Sequence, residues 1–245
     1  MCTLLLLRRV VEGYPTVLLM NRDELYERPA QAPVLAKDGR SILAPGDRQA
    51  GGTWIGVNDM GLVAAISNRH EGEFDLSRRS RGRLCLDALG YSSALEVKDF
   101  VEEEVAELRY NPFNLTYADR GRAFVTHYAD EPKTVELRGE LHIVANMDAD
   151  DIQQPRIRRA REIIEGLDMK RLEETLEILK RLASDHKAYE GESICLHGEV
   201  AGTVSSTIIA ISEDFPEGSL CLYSPKSPCQ TPYQDYSTLF EEMVG

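Results

Sequence analysis

The sequence predicts an α+β domain built in layers, and three observations predict it. Strand-like runs come in groups, helical periodicity comes in groups, and the two do not alternate strictly as a doubly wound parallel sheet requires. The first runs are apolar on both parities, as in strands buried on both faces. There is no GxGxxG, no GxxxxGK[ST] and no internal repeat, and no low-complexity linker divides the chain, so residues 1–245 are expected to form one domain.

Taken in order, Thr3 to Val10 and Thr16 to Met20 read as a hairpin across Val11-Glu12-Gly13-Tyr14-Pro15. With the turn centred near Gly13, paired residue numbers sum to about 25, which sets Cys2 opposite Asp23 within a residue or two. A second hairpin joins Thr53 to Val57 and Leu62 to Ser67 through Asn58-Asp59-Met60-Gly61; Gly51-Gly52 bends the backbone before it, and it ends at Asn68. Period-3.6 patterns cover Ser80 to Leu89, Ala94 to Leu108, Pro155 to Glu165 and Met169 to His186, with a short one near Thr238 to Met243. Between them, Phe113 to Ala145 holds four short strand-like runs that read as a meander, its last strand delivering Asn146. Thr203 to Ile211 and Ser219 to Tyr223 form a further pair across the turn at Pro216 and Gly218.

Of the 245 residues, 42% are hydrophobic and 28% charged, which suits a sizeable core and excludes general disorder. Lys+Arg 28 against Asp+Glu 41 gives a net charge of −13, so nucleic acid is not an expected partner. No apolar run approaches the ~20 residues of a membrane span, and no signal-peptide pattern opens the chain; a cytoplasmic location is expected. Cys2, Cys85, Cys195, Cys221 and Cys229 are odd in number, widely spaced and without CxxC, which points to reduced thiols. Cys195 and His197, with His186 nearby, have metal-ligand chemistry, but no second matched pair completes a tetrahedral set. No metal and no cofactor are expected.

Cys2 carries the most information, because removal of Met1 would put a thiol and a free α-amine on one residue. An α-amine of pKa about 7.7–8.0 is suited to take the proton of a thiol near 8.5, so one residue becomes nucleophile and base together. The expected reaction is acyl transfer, usually amide hydrolysis. A retained Met1 turns that amine into an amide and removes the base; Cys2 would then be a small residue beginning a buried strand. The hairpin brings Arg22 and Asp23 to the same place, Asp23 to hold the ammonium and Arg22 to stabilise the thiolate, unless the two form a strand-end ion pair. Asn68 and Asn146 each end a strand, where a side-chain amide can donate to an oxyanion or merely serve a turn.

Met1-Cys2, the hairpin ending Asn21-Arg22-Asp23-Glu24, Arg28-Pro29 and Gly51-Gly52-Thr53-Trp54-Ile55-Gly56 ahead of Asn68 closely resemble the NRDE proteins, relatives of Transport and Golgi organisation protein 2. The resemblance continues through Asn146, Pro155 to Arg161 and Gly202-Thr203-Val204-Ser205-Ser206-Thr207. It implies a branch of the N-terminal nucleophile hydrolases, hence a four-layer αββα sandwich of two antiparallel sheets between helices. The pattern of the related bile salt hydrolases and penicillin V acylases implies catalytic roles for Cys2, Arg22, Asp23, Asn68 and Asn146. The ligand so implied is a small acyl amide or lipid-like amide; the alternative is a non-catalytic carrier of the same fold handling haem or lipid.

One departure is Val204, where the family usually has an arginine. Trp54, the only tryptophan, either lines a substrate cleft or is a buried structural indole. Arg69, with Arg78, Arg79, Arg81 and Arg83, concentrates positive charge after Asn68, either to attract an anionic substrate or as a solvated helix start.

Overall fold

The structure is a computed structural model that describes residues 2–188 and 192–244. Its first strands are β1 (Thr3–Val11), β2 (Tyr14–Leu25), β3 (Ala30–Asp38), β4 (Arg40–Asp47), β5 (Ile55–Asn58) and β6 (Val63–Asn68). Helices α1 (Arg81–Ala88) and α2 (Ala94–Glu107) follow, then β7 (Phe113–Ala118), β8 (Ala123–Tyr128), β9 (Pro132–Glu136) and β10 (Leu141–Val144). The chain ends with α3 (Pro155–Ile164), α4 (Leu172–Ala183), β11 (Ala201–Ile211), β12 (Leu220–Ser224), the short β13 (Gln234–Asp235) and α5 (Thr238–Glu241). Two compact units form: Met1–Glu27 with Gly139–Ser237, and Arg28–Arg138 with Thr238–Gly245.

The first unit is an antiparallel six-stranded sheet in the order β10-β1-β2-β11-β12-β13. Leu5, Leu7, Val17, Leu19, Ile143, Ile208 and Ala210 point from one face into Ile157, Ala160 and Ile164 of α3 and Leu179 and Leu182 of α4, so alternation assigns every strand residue a side. The opening hairpin turns tightly, Val11 facing Tyr14, but an irregularity between Arg8 and Val11, with Arg9 at φ 57°, absorbs one residue. Thr3 therefore faces Asn21, and Cys2 is opposite Arg22 rather than Asp23. The meander expected over Phe113 to Ala145 stops after three strands: β7, β8 and β9 stay in the second sheet, whereas β10 pairs with β1 in the first. That crossing is what delivers Asn146 beside the N-terminus.

The second unit is an antiparallel seven-stranded sheet in sequence order, β3 to β9. Leu62, Ala64 and Ile66 pack with Leu84, Cys85 and Ala88 of α1, Val97, Val101 and Val105 of α2, and the rings of Tyr110, Phe113 and Tyr117. The glycine pair before Trp54 is explained by close approach. Gly52 sits at φ +93°, and a Cβ there would lie 2.3 Å from the Gly82 carbonyl carbon at the start of α1. Thr53 N–H donates to Gly82 O at 2.9 Å, so α1 is seated on this bend.

Candidate active site

Extending the β1–β2 register by one residue places Arg22 opposite Cys2, and on the other side of β1 the last pair, Leu4 with Val144, leaves Asn146 two residues past the end of β10. Alternation sets Cys2 and Arg22 on the sheet face turned away from α3 and α4, and Asp23 on the face those helices cover; Asn146 lies in the bend two residues past β10. Each residue of Asn21-Arg22-Asp23-Glu24 then has a separate task. Asn21 Nδ2 donates to Ala183 O at 2.8 Å and Ile194 O at 3.0 Å, tying β2 to the end of α4. Glu24 Oε1 caps the Leu25 N–H at 2.9 Å, and its Oε2 stands 3.9 Å from Arg22 Nη2.

Asp23 does not pair with its neighbour Arg22. Its Oδ2 accepts from Arg156 Nη1 and its Oδ1 from Thr203 Oγ1, both at 2.6 Å. Arg156 rises from the first turn of α3, is fully buried, and shares the same Nη1 with Thr3 Oγ1 at 3.3 Å. Its Nε is 3.8 Å from Glu192 Oε2. Thr203 reaches Asp23 through a bulge. Ser206 faces Asn21 and Thr203 faces Asp23, so three steps along β11 span two along β2 and Val204 is the extra residue. Without the bulge, the register from Ser206 and Ser205 would put Val204 against Asp23.

Cys2 is 7% exposed. Burial pushes its thiol pKa up and the Asp23 carboxylate adds to that; a backbone hydrogen bond from Asp23 and the Arg22 guanidinium act in the opposite sense. Burial likewise pushes the Asp23 carboxyl up, against the Arg156 charge and the two hydrogen bonds. Asn146 is held by its backbone. Its N–H and that of Met147 donate to Gln154 Oε1 at 3.1 and 3.0 Å, and Gln154 Nε2 returns a bond to Asp148 O at 2.7 Å. The buried Asn146 Oδ1 has no hydrogen-bond partner.

Four of the expected residues, Cys2, Arg22, Asp23 and Asn146, thus share one end of the six-stranded sheet. Asn68, Arg69 and Trp54 belong to the second unit. There Asn68 ends β6 opposite Phe113, and Trp54, 6% exposed, accepts from the Ile66 N–H at 2.9 Å. Arg69 holds Glu71 Oε2 at 2.6 Å and donates to Asn114 Oδ1 at 3.2 Å. Arg79 pairs with Asp87 and Glu104, and Arg78 and Arg81 donate to backbone carbonyls, so with Arg69 four of these five arginines are bound up in their own unit, while Arg83 is exposed. Arg156 and Thr203, the two partners of Asp23, were not named as candidates from the sequence. Arg156 did leave a signal, an arginine on the apolar stripe Arg156, Ile157, Ala160, Ile164, which demands a buried acid.

Solved structures share this fold. The R18L variant of conjugated bile acid hydrolase from Clostridium perfringens matches with a TM-score of 0.60 and 13% identity over 96% of each chain. Penicillin V acylase from Agrobacterium tumefaciens matches at 0.57 and 11% over 91% of this chain and 83% of that one. The Caenorhabditis elegans N-acylethanolamine-hydrolyzing acid amidase ortholog matches at 0.57 and 13% over 88% and 94%. The fold class is therefore that of the N-terminal nucleophile hydrolases, with its two antiparallel sheets, each carrying helices. In sequence, the human Transport and Golgi organization protein 2 homolog is 31% identical over 149 residues, 55% of this chain and 51% of that one. The Bos taurus homolog is 34% identical over 111 residues, 44% and 40%. These matches span about half the length of the curated relatives. The family model of Transport and Golgi organisation 2 matches residues 1–239, and the chain belongs to that family.

Proposed function

We propose that the chain is an N-terminal cysteine amidohydrolase for a small acyl amide or lipid-like amide. The observation that carries this reading is the register that sets Cys2 opposite Arg22 at the end of β1, next to an Asp23 that Arg156 and Thr203 hold still. The fold neighbours support it as hydrolases of this architecture.

In the proposed route, removal of Met1 frees the α-amine of Cys2. The amine takes the thiol proton, and the sulfur attacks the amide carbonyl carbon to form a tetrahedral oxyanion. Asn146 donates to that oxygen through its side-chain amide. The resulting ammonium is electrostatically favoured by Asp23, whose two oxygens each retain acceptor capacity beyond their present donor. It protonates the departing nitrogen as the C–N bond breaks, leaving a thioester. Water then attacks the thioester with the amine as base, releasing the carboxylic acid and restoring the thiol. Arg22 favours the thiolate at each stage where sulfur carries charge. No step of this route uses Asn68, Arg69 or Trp54.

The test is chemical. An N-terminal 1,2-aminothiol condenses with cyanobenzothiazole, so protein isolated from its native host is expected to label at Cys2 and to hydrolyse a panel of acyl amides. Cys2→Ala is expected to lose both the label and at least ~10³-fold in rate. Protein that keeps Met1, does not label and turns over no acyl amide overturns the reading.

A further inference from the structure

We propose that His186, Cys195, His197 and Cys229 form a tetrahedral zinc site. The four ligand atoms, one from each side chain, lie within 4.8 Å of one another. For Zn–S of about 2.3 Å and Zn–N of about 2.0–2.1 Å, a regular tetrahedron has edges of about 3.8 Å between sulfurs and about 3.6 Å between sulfur and nitrogen. The Cys195 and Cys229 sulfurs are 3.7 Å apart, and His197 Nε2 lies 3.7 Å from the first and 3.3 Å from the second. The His186 ring centroid is 5.0 Å from that of His197. His186 Nδ1 is 3.3 Å from Cys195 O, the kind of carbonyl partner that orients a ligating imidazole and turns Nε2 to the metal. Two sulfurs and two imidazoles at these spacings match zinc among the common metals, and four protein ligands leave no open position, which makes the site structural.

The fourth ligand comes from a distant place in the chain. His186 follows α4 and Cys195 and His197 lie in the segment before β11, whereas Cys229 follows β12. The absence of a matched pair in the sequence, which argued against a metal, reflects that distance. The site also has a task in the fold. Leu196, between two of the ligands, exchanges bonds with Thr203: its N–H donates to Thr203 Oγ1 at 2.9 Å and its carbonyl accepts from the Thr203 N–H at 2.8 Å. Ser227, two residues before Cys229, donates to Thr203 O at 2.6 Å. Zinc here joins the two segments that grip Thr203, the residue bonded to Asp23.

The experiment reads metal, not activity. Reduced full-length chain, purified without chelator, is expected to carry about one zinc. Exchange with cobalt is expected to give the visible bands of tetrahedral Co(II) and a thiolate-to-metal charge-transfer band, both abolished by added zinc. Cys229→Ala is expected to lower bound zinc at least tenfold, and Cys229→His, which keeps a ligand, to retain it. Wild-type chain with neither zinc nor cobalt bands overturns the proposal whatever the variants do. So does a Cys195–Cys229 disulfide in freshly isolated protein, iron in place of zinc, or full zinc retention by Cys229→Ala.

Discussion

Arg156 and Asp23 form the most consequential pair in the first unit, because both are buried and the Arg156 Nη1 is the charge partner of the Asp23 carboxylate. Removing one partner of such a pair leaves an uncompensated buried charge, at a cost of about 3–5 kcal/mol, while replacing both by neutral groups recovers much of it. Arg156→Met is therefore expected to destabilise the chain by about 3–5 kcal/mol near neutral pH, and the double variant with Asp23→Asn by less. The sign with pH is also fixed. Burial raises the Asp23 carboxyl above its ordinary value, so the folded state binds the proton more tightly than the unfolded one and loses stability as pH rises through that range. With the guanidinium gone the loss is steeper. Urea midpoints of wild type and Arg156→Met that stay parallel from pH 4 to pH 8 would contradict this. In the sequence, Asp23 was legible as a candidate because it stands beside Arg22 near Cys2. Its partner was not, since adjacent strand residues point to opposite faces and the true counter-ion came from a helix 133 positions away.

At the scale of the element, bulges decide what pattern alone cannot. The irregularity after Arg8 moved Cys2 by one place against β2, and the bulge at Val204 put a hydroxyl where a valine would otherwise face Asp23. Thr203→Val removes both the donor to Asp23 Oδ1 and the acceptor of the Leu196 N–H, an expected loss of about 1–3 kcal/mol that Thr203→Ser largely restores. Equal denaturation midpoints for the two variants would show that shape, not the hydroxyl, matters there. The helices were read from their 3.6 period, α1, α2 and α3 to within one residue at either end, whereas Met169 to His186 overran α4 by three residues at each end. Strands β3 and β4 were not read. Pro33 sits in β3, which is an edge strand with an irregularity between Gln31 and Val34, and Pro45 lies beyond the short stretch of β4 that pairs with β5. Those two devices make proline tolerable in a sheet, and neither has a local sequence signature.

The whole molecule meets acid through carboxylates of both units. Asp47 of the second unit and Asp150 of the first are partly buried, and burial alone would raise their pKa values. Instead Arg28 and the N–H groups of Gln49 and Ala50 hold Asp47 below its ordinary 3.8. His142, the Ile143 N–H and Arg161 do the same for Asp150. A carboxyl with a lowered folded pKa contributes stability that is complete above the unfolded value and is lost as pH falls through the folded one. The two sites therefore stabilise the chain above about pH 4 and release that contribution together below 3.8. Because they lie in different units, neither acts for the other, and Asp47→Asn and Asp150→Asn are expected to lower the urea midpoint additively at pH 7. Each variant is also expected to show a smaller drop in midpoint than wild type between pH 7 and pH 3, since it has one fewer group to protonate. Wild type and variants losing the same increment over that interval would mean that these carboxylates titrate alike in the folded and unfolded chain, and that the acid sensitivity resides elsewhere.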